Sequence, residues 1–141
     1  MRPHTHFFSL MTMAMALMAA VPAHAQRIRI TVDGQVIAAT LTDNPTTRDF
    51  ISRLPLTLTL GDYAGTEKIV YLDRKLSTAG APAGATPTVG TIAYYAPWGN
   101  LAFYYKDFAY SPGLIPLGRI DTGLAVFKRA GDIKVKIELA E

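Results

Sequence analysis

The sequence contains no cysteine, and its three histidines, His4, His6 and His24, all lie within the first 25 residues. The first absence excludes a disulfide framework, a thiolate nucleophile and a Cys-ligated metal. The histidines fall in a segment read below as a removable leader, so the remaining chain has no imidazole either. That excludes Ser-His-Asp and Cys-His catalysis, ordinary zinc sites and haem held by histidine. Charge of one sign is also scarce. There are 14 Lys and Arg against 11 Asp and Glu, with the basic residues scattered singly or in pairs such as Arg74-Lys75 and Lys128-Arg129. Nucleic-acid binding wants a dense basic stripe, and none is visible. No nucleic-acid partner, no cofactor and no metal site is therefore expected. Chemistry on this chain has to use carboxylates, Arg or Lys, Tyr, or no proton transfer at all.

Arg2 gives the chain a short positive start, Phe7 to Val21 is an apolar run, and Ala23-His24-Ala25 fits a small-residue cleavage signal. The run is short for a membrane span and stops at Pro22. These features predict a secretory signal peptide over residues 1–25, cleaved before Gln26. With no cysteine to carry a lipid, the product is expected to be exported, periplasmic or secreted, and free of the membrane. Residues 26–141 then form one domain with one core.

Most of this domain reads as short strands. Arg27–Val32 and Gln35–Leu41 flank Asp33-Gly34, a pair suited to the centre of a type I′ turn. Counting outward pairs Ile30 with Ile37 and Ile28 with Ala39, which puts Ile28, Ile30, Val32, Ile37 and Leu41 on one core face. Asp43 to Pro55 reads as a short helix, capped either by Asn44 with Pro45 following or by a Thr46/Asp49 capping box, with Phe50, Ile51 and Leu54 as its apolar stripe. Leu56–Leu60 alternates, Gly61–Gly65 reads as a loop, and Glu67–Leu72 as another strand. Leu76 to Gly90 is small and flexible in composition, the signature of a binding loop or a mobile surface excursion. Leu114–Ile120 is a strand interrupted by Pro116 and Gly118, which points to an edge position or a bulge. Asp121 or Thr122 can cap a single helical turn before the last strand, Ile133–Leu139. Many short strands with no βαβ rhythm predict a mainly β fold: a closed antiparallel eight-stranded barrel with two short helices.

The richest stretch is Gly90 to Tyr110. Eight of the twelve aromatic residues that follow the leader lie between Tyr94 and Tyr110. Thr91–Ala96 and Leu101–Tyr105 read as two strands joined by Pro97-Trp98-Gly99-Asn100, where Pro97 cannot donate to a ladder and Gly99 supplies a positive φ. Period-2 alternation places Tyr94 and Tyr104 in one phase class and Tyr95, Phe103 and Tyr105 in the other. A ribbon with rings on both sides is either buried twice or has one face lining a cleft.

The order of these signals resembles the bacterial cyclophilin-like fold proteins. The resemblance is carried by Asn44-Pro45-Thr46-Thr47-Arg48-Asp49-Phe50, by Asp62-Tyr63-Ala64-Gly65-Thr66-Glu67-Lys68, by Tyr95-Ala96-Pro97-Trp98-Gly99-Asn100-Leu101 and by Leu117-Gly118-Arg119-Ile120. It spans essentially the whole domain and implies an eight-stranded barrel capped by two helices. Similarity to true cyclophilins is more distant. Pro45 to Leu54 looks like their first helix, with Asp49 where Asn is usual. Their catalytic Arg has its nearest counterpart in Arg74, within Tyr71-Leu72-Asp73-Arg74-Lys75-Leu76, but nothing matches the F-M-x-Q that follows it in the family. Their cleft phenylalanine falls on Tyr104 or Tyr105, their cleft tryptophan near Tyr110, and their cleft histidine on about Leu114.

Three functions follow. The first is a non-catalytic binding module whose cleft, walled by Tyr94, Tyr95, Trp98, Tyr104 and Tyr105 and furnished with Asn100 and Arg119, holds a small molecule or an extended or proline-containing peptide. The second is a peptidyl-prolyl isomerase using Arg74, since that reaction needs no nucleophile. The third is an assembly protein pairing through an exposed strand or aromatic face. Asp62 and Glu67 flank one loop and offer an acid/base pair, or with Asp73 a calcium site, though no loop has calcium-binding spacing. The leader itself is directly checkable. Intact mass of the protein exported from a bacterial host should correspond to a chain starting at Gln26, and a product that keeps Met1 contradicts the cleavage.

Overall fold

The computed structural model describes residues 25–140; the signal peptide expected over residues 1–25, apart from Ala25, lies outside the described residues. Chain order is β1 (Gln26–Val32), β2 (Gln35–Leu41), α1 (Pro45–Ser52), β3 (Leu56–Tyr63), β4 (Glu67–Tyr71), β5 (Gly84–Ala85), β6 (Thr91–Tyr95), β7 (Asn100–Tyr104), β8 (Ser111–Pro112), β9 (Leu114–Ile120), a 3₁₀ turn (Leu124–Lys128) and β10 (Ile133–Leu139). Eight strands close into an antiparallel barrel in the order β1-β10-β3-β4-β7-β6-β9-β2, while β5 and β8 form a separate two-stranded ribbon. No helix among the described residues is long and apolar enough to cross a membrane.

The first hairpin forms as its turn chemistry requires. Asp33 and Gly34 both take positive φ, and Ile30 pairs with Ile37 and Ile28 with Ala39. Their inward side chains join Leu41, Leu60, Leu101, Leu117, Val135 and Ile137 in a core with almost no exposed surface. At about 25 cal/mol per Å² of apolar area removed from water, burying each of these side chains contributes roughly 1.5–3 kcal/mol, set against the entropy of ordering the chain. α1 closes the barrel at the Leu41 end with the buried Phe50. Asn44 is its cap, accepting from Thr47 N–H at 2.7 Å, while the Thr46 hydroxyl goes instead to the Ser77 carbonyl. The 3₁₀ turn covers the other end, beside the β1–β2 turn, where Arg129 reaches Asp33 and Phe127 stacks on Phe103 with centroids 5.5 Å apart. It has no side-chain cap: Gly123 precedes it in the left-handed region, and Asp121 is engaged by the Thr40 hydroxyl.

One local expectation needs correction, and two open choices narrow. β3 does not stop at Leu60 but runs to Tyr63, because Gly61, Asp62 and Tyr63 pair with Ile69, Lys68 and Glu67. Reversal is left to Ala64-Gly65-Thr66, with Ala64 and Gly65 both at positive φ. β9 is paired on both sides, so its Pro116 and Gly118 mark a register shift opposite Ile92/Ala93 and not an edge. A Cβ on Gly118 would fall 2.1 Å from the Thr40 carbonyl oxygen, which is why glycine stands there. The segment 76–90 is no free excursion either: Leu76 N–H donates to the Tyr94 hydroxyl, and β5 is zipped to β8.

One buried cation fastens the lower half of the barrel. Lys68 has no exposed surface, and its ammonium donates to the carbonyls of Arg129 and Gly131 while meeting the Asp62 carboxylate at 2.6 Å. Hydrogen bonds from Lys68, Gly131 N–H and the Tyr105 hydroxyl hold the Asp62 carboxyl below its usual range. All three ammonium protons are therefore used, which is what a buried lysine requires. Replacing Lys68 with Met leaves two carbonyls without their donor and takes from Asp62 the cation that faces it. Lys68→Met should cost about 3 kcal/mol in urea-induced unfolding; a loss under about 1 kcal/mol would show that water replaces the ammonium freely.

Candidate functional site

The inward side chains of the β6–β7 hairpin are buried, so its rings are available only on the outer face. Tyr95 pairs with Asn100, Ala93 with Ala102, and Ile92 with Phe103. Every pair joins an odd-numbered residue to an even-numbered one, so the phase classes cross over at the hairpin. Tyr94, Leu101 and Phe103 share the inner face, and Tyr95, Asn100, Ala102 and Tyr104 share the outer one. β4 extends that outer face, with Glu67 opposite Tyr104, Ile69 opposite Ala102 and Tyr71 opposite Asn100. Tyr63 on β3 stands opposite Glu67. Four strands thus deliver rings and a carboxyl to one patch.

Over this patch lies a cleft of about 140 Å³. Its floor is Glu67, Ile69, Asn100 and Tyr104, and its walls are Tyr63, Tyr95, Trp98 and Phe108, with Ser111 at one side. Trp98 leads the β6–β7 turn, whose Trp98 and Gly99 N–H groups both donate to the Tyr95 carbonyl. Its ring centroid is 5.3 Å from that of Tyr63 and 5.3 Å from that of Tyr95, at 85° and 81° to them. Rings meeting edge to face form corners and leave the space between them open. Trp98 is 46% exposed, whereas the floor residues Asn100 and Tyr104 are 2% and 3% exposed.

The floor is polar and incompletely satisfied. Glu67 is buried, and burial pushes its carboxyl above the ordinary value even though hydrogen bonds from the Thr66 and Tyr104 hydroxyls pull the other way. Burial and the neighbouring Glu67 charge raise the Tyr104 phenol in turn, so it remains a donor. Asn100 donates its Nδ2 to the Leu101 carbonyl at 3.1 Å, while its buried Oδ1 has no hydrogen-bond partner. Flipping the amide would only set oxygen against the Leu101 oxygen, so the orphan is an acceptor. A buried acceptor left unmade costs on the order of 1–3 kcal/mol.

Of the side chains expected at a cleft, Tyr95, Trp98, Asn100 and Tyr104 meet in this one. Tyr94 lies inside the barrel with its hydroxyl accepting from Leu76 N–H. Tyr105 shares the inner phase and donates to Asp62 at 3.1 Å. Arg119 is spent on the 88–90 turn, donating to the Thr88 hydroxyl and the Val89 carbonyl. Arg74 lines a separate depression of about 370 Å³ with Arg53, Leu56, Leu58 and Tyr71, which shares no residue with the Trp98 cleft. Leu114 is wholly buried, and Tyr110 is exposed outside the cleft. Asp62 and Glu67 project to opposite faces of the sheet, so they form no acid/base pair, and no cluster of three or more His, Cys, Asp or Glu side chains exists among the described residues. Tyr63, Ile69, Phe108 and Ser111 were not foreseen as lining, because their approach to Tyr104 depends on pairing between distant strands.

A family model described as the cyclophilin-like family matches residues 30–138. The chain belongs to the cyclophilin-like family. Among solved structures it is similar to the hypothetical protein AF2241 from Archaeoglobus fulgidus, with a TM-score of 0.58 and 16% identity over 82% of this chain and 95% of that one. At that identity the likeness shows the cyclophilin-like fold alone. No curated protein matches the chain significantly.

The state of Glu67 can be read through stability. With its carboxyl raised in the folded chain, the native state keeps a proton over a window above the ordinary value of 4.5 that the unfolded chain has already lost. Stability therefore falls as pH rises through that window, and the full cost is present above it. Glu67→Gln should unfold at a higher temperature than wild type at neutral pH, with the advantage vanishing below pH 4.5. A variant equally destabilised at both pH values would mean that the carboxylate is not strained by burial.

Proposed function

We propose that this cyclophilin-like protein is an exported, non-catalytic binding module that receives a group of side-chain size in the cleft beside Trp98. The group is either a small molecule or one side chain of an extended peptide. The reading rests on one observation: an aromatic-walled cleft whose floor includes Asn100, a buried residue with an unpartnered Oδ1. A native sheet rarely leaves such an atom unpaired without a use for it. The walls supply contact area and the floor supplies direction, the usual division of labour in a ligand site. The absence of His and Cys from the chain after the leader fits recognition better than bond-breaking chemistry.

Trp98, the sole tryptophan, reports on the cleft directly. A panel of small aromatics, amines, amides and proline-containing tripeptides should include members that shift its fluorescence saturably. Tyr104→Ala should weaken those members about tenfold or more, as expected for an aromatic anchor, while Arg74→Ala leaves them unchanged. A panel wholly without effect, or one whose binding follows Arg74 and ignores Tyr104, overturns the assignment to this cleft.

A further inference from the structure

Resting on that cleft reading, we infer that the occupant is a cation: a small primary alkylammonium group, free or at the end of a side chain. The cleft places a carboxylate on its floor and no cationic side chain against it. Glu67 is the only ionisable acid or base among the residues lining it apart from the tyrosine phenols, and no Lys or Arg contributes to it. A carboxylate has about four lone-pair positions, and Thr66 and Tyr104 occupy two, so room remains for an incoming N–H. Asn100, whose buried Oδ1 has no partner, lines the same floor, and its amide is held by the bond from Nδ2 to Leu101. The walls are the side chains of Tyr63, Tyr95, Trp98 and Phe108. Aromatic faces attract a cation through their quadrupole and do so more strongly where water is excluded.

The two acceptors also decide the kind of cation. A quaternary ammonium has no N–H and would leave Asn100 Oδ1 as it is. A primary ammonium has three, enough for Glu67, for Asn100 and for one bond to water or Ser111. An anionic ligand would set its charge against Glu67. A neutral alcohol could donate once, leaving the carboxylate charge uncompensated in a buried setting, which is the costly case.

Three probes of one chain length separate these outcomes: pentylammonium, 1-pentanol and pentanoate, each titrated at neutral pH with Trp98 fluorescence and the indole N–H resonance as readouts. Pentylammonium should bind about tenfold more tightly than 1-pentanol, a difference of about 1.4 kcal/mol, and pentanoate should not bind. In Glu67→Gln, checked for folding by circular dichroism, the two neutral-pH affinities should come within about twofold. Pentanol equal to pentylammonium in wild type, a preference for pentanoate, or a full ammonium preference kept by Glu67→Gln each overturns the cation assignment. The wild-type comparison decides even if the variant fails to fold. If all three probes are silent while some member of the aromatic and tripeptide panel binds, the cation inference fails and the cleft stands. If that panel is silent as well, both fall.

Discussion

Tyr95 stands opposite Asn100, and much of the outer face follows from that register. A strand offers its side chains to alternate sides, so slipping the β6–β7 pairing by one residue would turn one strand's set over against its partner. Tyr94, Leu101 and Phe103 would no longer share the interior, and Asn100 would lose its place beside Tyr95. The register is fixed from two directions. On one side the turn draws Trp98 and Gly99 N–H groups onto the Tyr95 carbonyl. On the other, β4 holds β7 through five consecutive pairs from Glu67–Tyr104 to Tyr71–Asn100. Because Tyr94, Leu101 and Phe103 are buried with almost no exposed surface, the interior penalises any shift. Core packing, far from the cleft, thereby holds its floor in place.

Much of this architecture was legible from residues. Asp33-Gly34 announced the first hairpin with its register, and alternation in Ile133–Leu139 and Leu56–Leu60 announced strands with one wet face. What stayed hidden depends on partners distant in sequence. Gly61 looked like the beginning of a loop, yet it lies in β3 with the Asp132 carboxyl packed close above its Cα. Reading it as a loop removed Tyr63 from the sheet and so from the cleft. Parity along the chain grouped Tyr94 with Tyr104, but a four-residue connection between Tyr95 and Asn100 exchanges odd for even. Glu67 was visible as a carboxylate, but its position opposite Tyr104 follows only from β4 lying beside β7, and no local pattern reports which strands become neighbours.

The same reasoning explains why one expected polar contributor, Arg119, is held away from the cleft. Arg119 follows the glycine of the β9 register shift, and its guanidinium is consumed by the turn that leads into β6. Arg53, not Arg74, organises the far depression: it ties α1 to the chain by donating to the Arg74 and Lys75 carbonyls. Arginines that sit near a shared cleft in sequence order can be drawn off by unpaired carbonyls of the loops between. The family likeness fixes where a barrel and its caps will be, and it does not fix which side chains are left over for recognition.

Glu67 and Lys68 make the distinction between structural and functional burial concrete. They are adjacent on β4 and point to opposite sides, and both are charged groups withdrawn from water. Lys68 faces a loop with two free carbonyls and a carboxylate, and each of its protons has a partner. Glu67 faces a cleft in which its neighbours do not fully meet the cost of its burial, and Asn100 beside it carries an acceptor with nothing to accept. If both were there for stability, the second would have been closed off like the first, or replaced by the apolar residue that a sheet face of Ile69, Ala93 and Ala102 would readily hold. A carboxyl and an amide oxygen kept hungry at the bottom of an open, ring-lined depression make sense when the missing partner comes from solution.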